Sequence, residues 1–134
     1  MNRTHLEGAA EKLTAQRGYT FYTGPEDDMG HTVRNYPAAW LAPPELHAVE
    51  GRTHGRATYD MTLHLLRPGA RISPAERRTA LAEMEAQMIE IFAELSLYER
   101  ILAVEGLSVR PRSFSLTPHG EISQTATARI VTWF

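Results

Sequence analysis

The sequence has no cysteine, a single lysine (Lys12) and no long hydrophobic run. The absence of cysteine excludes disulfides, thiolate metal ligands and thiol nucleophiles. The apolar runs are far shorter than the roughly 20 residues that a membrane-spanning helix requires. The polar start, residues 1–5, does not have the apolar core of a secretory signal peptide. We therefore expect a cytosolic protein with no membrane partner.

The chain also lacks an excess of charge of either sign. Lys and Arg total 14 and Asp and Glu total 16, which gives a net charge of −2. A strongly basic nucleic-acid-binding domain is thereby disfavoured, and we predict no nucleic-acid partner. The length of 134 residues, with 43% hydrophobic and 22% charged residues, is typical of one globular domain. We predict a single domain over residues 1–134.

Three elements are clearly marked in the sequence. The segment Thr4–Gln16 has apolar residues at helical spacing and Thr4 as its cap, which predicts an N-terminal helix. Ala57–Leu66 alternates between apolar and polar residues, which predicts a strand with one covered and one wet face. Ser73, with Glu76 three residues later, predicts the capped start of a long amphipathic helix that ends near Leu97.

The region between the first helix and the long strand is less regular. Tyr19–Tyr22 reads as a short strand, and His31–Tyr36 as a further short strand ended by a proline. Ala38–Leu41 is apolar, but Pro43 and Pro44 follow it and argue against a central strand there. Residues 24–55 are therefore expected to form an extended, mostly irregular loop, and long loops are often functional.

The end of the chain is predicted to be a hairpin. Ile101–Val109 leads through residues 113–116 to a turn at Thr117–Gly120, and residues 121–134 alternate again. Helices segregated from strands predict an α+β fold. We expect two layers, with a mixed or largely antiparallel sheet packed by the long helix and the N-terminal helix.

No catalytic motif is present, so we predict no enzyme activity, no cofactor and no metal. Ser113, Ser115 and Ser123 lie outside any GxSxG turn, and the glycines form neither a phosphate-binding loop nor a dinucleotide motif. The histidines show neither HxH nor HExxH spacing, and their scatter favours no metal site. They are His5, His31, His47, His54, His64 and His119.

Two groups of residues are candidates for a protein interface. One is the acidic cluster together with an apolar, proline-stiffened segment, which either packs on its own domain or anchors a partner. The other is a set of arginines on the closing strands, which would meet the acids of a neighbouring copy. The candidates are Glu26, Asp27, Asp28, Trp40, Leu41, Arg110, Arg112 and Arg129.

The order of elements over nearly the whole chain resembles that of a known family. The alternating strand at residues 57–66, the capped helix from Ser73 and the hairpin turn at residues 116–121 are similar to those of tail-completion and tail-terminator proteins of long-tailed bacteriophages and prophages. Arg52–Gly55 also looks like a loop that enters the sheet in such proteins. The resemblance implies a ring-forming structural subunit at the end of the tail tube or in the head-to-tail neck, and implies no catalytic residue.

The same resemblance implies the partners and the location. These would be copies of the chain and other tail or head-tail proteins, in the cytoplasm of a bacterial host or in the virion. Two alternatives remain open: a small α+β adaptor, and a ligand-binding domain or small enzyme with residues 24–55 as a lid. The pocket of the second would have to be lined by His31, His54, His64 and Asp60.

Overall fold

The computed structural model describes residues 2–112 and 115–134. Within them lie six strands and three α-helices, so the α+β prediction is confirmed. The elements are α1 (Asn2–Ala15), β1 (Thr20–Thr23), a 3-10 turn (Glu26–Asp28), α2 (Met29–Thr32), β2 (Ala38–Leu41), β3 (Glu45–Gly51), β4 (Gly55–Arg67), α3 (Pro74–Leu95), β5 (Ile101–Pro111) and β6 (Ile122–Trp133).

The strands form one mixed sheet in the order β1–β2–β4–β6–β5, and β3 also pairs with β4. β1 and β2 are parallel, and every other pair is antiparallel. The long strand β4 is shared along one edge, because β3 pairs with residues 55–60 and β2 with residues 63–66. At the end of the sheet where β3 lies, the local order is therefore β3–β4–β6–β5.

Both long helices pack on one face of this sheet, which we call the inner face. The alternation of β4 places Met61, Leu63 and Leu65 there, as predicted, and these side chains are buried. The predicted capping box at the start of α3 is confirmed, since Ser73 accepts from the backbone N–H of Glu76. The buried helix residues are Leu6, Ala9, Ala10 and Leu13 of α1 and Met84, Met88, Ile91, Phe92 and Leu95 of α3.

The prediction of an irregular loop over residues 24–55 is wrong. Ala38–Leu41 is a fully buried strand between β1 and β4, and Glu45–Gly51 is the strand β3. Pro43 and Pro44 do not prevent the central strand because they lie beyond its end, where the ladder needs no further N–H donors. A lid over residues 24–55 is therefore contradicted for most of that segment.

The predicted strand over His31–Tyr36 is also wrong. The chain makes a helical turn there, and Met29 and Val33, four residues apart, turn inward together. They pack against Ala38, Trp40 and Leu66 in a second, smaller core on the opposite, outer face of the sheet. Local alternation suggested a strand, but burial against Trp40 favours the helical spacing.

The closing hairpin is present, with β5 and β6 antiparallel and turn residues at 118–119. Ser113 and Phe114, which were expected to lead into the turn, lie outside the described residues. Glu121 stabilises the turn, because its buried carboxylate accepts hydrogen bonds from the backbone N–H groups of Leu116 and Thr117. The turn is thereby fixed against the second core.

Candidate functional site on the outer face of the sheet

The outer face of β4, β6 and β5 is open beyond the second core. Register places His64 opposite Thr125, and Thr125 opposite Arg110, in one row across the three strands. The next row contains Thr62, Thr127 and Ser108. Polar side chains from three rigid strands are therefore held side by side on this face.

His64 is the centre of a hydrogen-bonded chain. It was expected on a wet strand face, but it is 0% exposed because the 3-10 turn and the second core cover that end of β4. Its Nε2 lies 3.1 Å from Oε2 of Glu26, and its Nδ1 lies 2.7 Å from Oγ1 of Thr125. A carboxylate only accepts, so Nε2 carries the proton and Nδ1 accepts from the Thr125 hydroxyl.

The protonation state of His64 follows from its surroundings. Burial lowers the pKa of His64 below its usual value, and Arg112 lowers it further, while the carboxylate of Glu26 opposes both effects. Because the lowering prevails, the imidazole is neutral at neutral pH. This is the form that the hydrogen bonds to Thr125 and Glu26 require.

The chain continues to an arginine. Nε of Arg112 donates to Oγ1 of Thr125 at 3.0 Å, so four side chains are linked from Glu26 to Arg112. The order carboxylate, imidazole, hydroxyl is that of a nucleophile relay. The Thr125 hydroxyl, however, donates its O–H to His64 while its oxygen accepts from the Arg112 guanidinium, and that cation withdraws the electron density that an attack needs. The arrangement is suited to positioning Arg112.

Trp40 and Leu41 are not available to a partner. Trp40 is 1% exposed, stacks on Tyr22 and donates from Nε1 to the carbonyl oxygen of Gly24 at 3.0 Å. Leu41 is buried in the main core. For Trp40 and Leu41 the alternative of packing on their own domain therefore holds, and their assignment as interface candidates is corrected. The strand character of residues 38–41 is the reason.

Of the acids and arginines predicted to meet across an interface, some already have partners within the chain and others do not. Arg129 pairs with Asp60 on the neighbouring strand at 3.3 Å, and Glu26 pairs with His64, so both are used within the chain. Asp27 and Asp28 are exposed and make no ion pair with any described residue. Arg110 and Arg112 likewise have no carboxylate partner among residues 2–112 and 115–134.

The sequence reasoning missed the sheet edges. On β3, Leu46 and Val49 are 50% and 55% exposed, although both are apolar residues in a strand. On β5, Leu102 and Leu107 are also exposed. The leucine and valine of residues 45–51 could have indicated a strand, but the prolines just before them favoured an irregular loop.

The chain ends on two partly exposed aromatics that are tied into the sheet. Phe134 exchanges backbone hydrogen bonds with Gly55 at 3.0 and 3.3 Å, and the N–H of Trp133 donates to the carbonyl of Arg100. Trp133 is 43% exposed beside the Arg100 guanidinium. The exposed Trp133 therefore lies next to the start of β5, at one edge of the sheet.

No protein-family model matches this chain, and no curated protein is significantly similar to it in sequence. No helix in the described part of the chain combines the length and the apolar character needed to cross a bilayer.

Proposed function

We propose that this chain is a non-enzymatic structural subunit of a phage or prophage tail or head-to-tail neck, and that it works by assembling head to tail with copies of itself. The observation that carries the proposal is that β3 and β5 each have one edge with no paired strand among the described residues. Each of these strands pairs with one strand only among the described residues. Unpaired edges present N–H and C=O groups to a further strand.

The two edges lie on opposite sides of the sheet. In the local order β3–β4–β6–β5, a neighbour's β3 that pairs with β5 extends the sheet in one direction. The same contact repeats on the next copy, so the interface is heterologous. Heterologous contacts give a closed ring when the rotation per copy closes, and a filament when it does not.

The side chains on the two edges are compatible. Both carry exposed leucine or valine side chains, whose burial favours association. β3 carries Glu45 and Glu50 and no Lys or Arg. Residues 100–112, which contain β5, carry three arginines and one glutamate. Opposite charges favour β3–β5 pairing over pairing of two β3 strands, which would place like charges together.

The tail context comes from the resemblance in element order, and it adds other tail or head-tail proteins as partners and the host cytoplasm or the virion as the location. A purely generic adaptor would share the exposed edges but not a closed ring of copies. Ring formation is therefore the property that separates the two functions.

The mass of the assembly tests the proposal. We expect native mass spectrometry and negative-stain images of concentrated wild-type protein to show closed rings of one size. A double variant, Leu46→Lys with Val49→Lys, should be monomeric because lysines on an edge strand oppose pairing. Ile89→Lys is the control, since Ile89 is 50% exposed on α3 and belongs to neither edge strand. A wild type that stays monomeric at every concentration contradicts the proposal.

A further inference from the structure

We infer that the outer face carries an oxyanion-binding subsite between β5 and β6, with Arg110 and Arg112 as its cations and a phosphate group as its ligand class. The site is a cavity of about 240 Å³. Its walls are two arginines, three hydroxyl side chains and one proline: Arg110, Arg112, Ser108, Thr125, Thr127 and Pro111.

The walls have the chemistry of an anion site. Arg110 lies near the end of β5 and Arg112 lies one residue beyond it, and among the described residues no carboxylate lines the cavity. Asp60 and Glu105 lie further along this face, where both are opposite Arg129 in a single row and Asp60 pairs with Arg129. The positive charge of the cavity is therefore not neutralised within the described part of the chain.

Both arginines are anchored by one nitrogen each. Nε of Arg110 donates to Oγ of Ser108 at 3.2 Å, and Nε of Arg112 donates to Oγ1 of Thr125 at 3.0 Å. The terminal Nη groups of neither arginine donate to any described residue. Each guanidinium thus retains N–H groups for a ligand with several acceptor oxygens.

The anchor of Arg112 is unusually firm for a surface arginine. Thr125 is buried, its hydroxyl proton is held by the buried His64, and His64 is held in turn by Glu26. A guanidinium fixed in this way loses less conformational entropy when it binds an anion than a free surface arginine does. The hydrogen-bonded chain that explains the burial of His64 therefore also preorganises the site.

A phosphate fits the site better than a carboxylate. Its four oxygens are arranged tetrahedrally around phosphorus, so one phosphate can accept from both guanidiniums and from a hydroxyl such as that of Thr127. A carboxylate has only two oxygens, both in one plane, so it can accept from fewer of these N–H and O–H groups at once. The cavity opens on the face of the sheet, although its two arginines also contribute to the positive charge near the β5 edge; the site is therefore tested on the monomer.

The test is a titration of the full chain at a concentration where it is monomeric. Inorganic phosphate is the probe, with total ionic strength held constant by chloride and with acetate as a parallel titrant. Backbone and arginine Nε–H resonances are followed by NMR in the wild type and in Arg110→Gln, Arg112→Gln and Arg78→Gln. Arg78 is exposed on α3, across the sheet from the cavity, and is the matched control.

We expect saturable shifts centred on the Nε–H signals of the two cavity arginines in wild type and in Arg78→Gln. Each cavity variant should weaken phosphate binding at least tenfold, since each removes a charge-assisted hydrogen bond. Acetate should bind more weakly than phosphate. Non-saturating shifts, or equal weakening in Arg78→Gln and Arg112→Gln, would overturn the site. Acetate binding as tight as phosphate would overturn the phosphate assignment.

Discussion

The imidazole of His64 and the carboxylate of Glu26 lie 3.1 Å apart, and this contact joins the outer face of β4 to the segment that covers it. The histidine is fully buried and the glutamate side chain is about half exposed. The contact therefore closes one end of the second core while leaving a charged group at the surface. Loss of either partner affects the fold and the position of Arg112 together.

Truncation of the carboxylate should destabilise the protein. In Glu26→Ala, the N–H at Nε2 of His64 loses its acceptor while the ring stays largely buried, which costs about 1–3 kcal/mol in the free energy of unfolding. Asp27→Ala is the control, because Asp27 is exposed and unpaired among the described residues; its effect should stay within about 0.5 kcal/mol. Urea unfolding followed by circular dichroism measures both, and equal effects would contradict the role of Glu26.

Acid should destabilise the protein through His64. Burial lowers the pKa of the folded imidazole, so the unfolded state binds the proton more readily. Stability is then lost as pH falls through the unfolded value of about 6.5, by at most about 1.4 kcal/mol per pH unit, until the folded pKa is reached. In His64→Asn the loss between pH 7.5 and 5.5 should be shallower. An unchanged slope in urea unfolding would exclude His64 as its source.

The two tryptophans should report different environments. Trp40 is buried and Trp133 is 43% exposed. Trp133→Phe leaves Trp40 as the sole tryptophan, and its emission should be blue-shifted and resist quenching by acrylamide. The converse variant, Trp40→Phe, should emit at longer wavelength and be quenched readily. Ready quenching of the Trp133→Phe protein would show that residues 38–41 are exposed, contrary to the β2 strand.

Gly55, at the turn between β3 and β4, should not tolerate a side chain, because Glu50 and Phe134 lie close to it. A Cβ at Gly55 would overlap the carbonyl oxygen of Glu50 and approach the Phe134 ring to 2.9 Å. Gly55→Ala should therefore destabilise the protein by about 1–3 kcal/mol. Gly8→Ala, in an open helical position of α1, should stabilise it by about 0.5–1 kcal/mol. Thermal melts compare the two, and a neutral Gly55→Ala would contradict the close approach of Glu50 and Phe134 to Gly55.

Elements with strong local periodicity were predicted well from the sequence. The alternation of β4 and the Ser73–Glu76 capping box are local features, and both are present. The errors fall between residues 24 and 55, where tertiary contacts decide. β2 is fully buried because it lies between β1 and β4, and four apolar residues before two prolines do not reveal such neighbours.

The site was less accessible to sequence reasoning. The hydrogen-bonded chain from Glu26 to Arg112 depends on the strand register that joins His64 to Thr125, 61 positions apart, and on the contact of His64 with Glu26, 38 positions apart. No local motif encodes these contacts. The acidic cluster and the arginines were identified as charged surface groups. Only the structure separates Glu26 and Arg129, which pair internally, from the residues that do not.

The pairing of opposite edges is tested most directly by complementation between two edge variants. One carries Leu46→Lys with Val49→Lys on β3, and the other carries Leu102→Lys with Leu107→Lys on β5; each keeps one intact edge. We predict that each variant alone is monomeric, and that an equimolar mixture forms a heterodimer, but no ring, in native mass spectrometry. A mixture that stays monomeric beside a ring-forming wild type, or β3 variants that still form rings, would contradict head-to-tail assembly through β3 and β5.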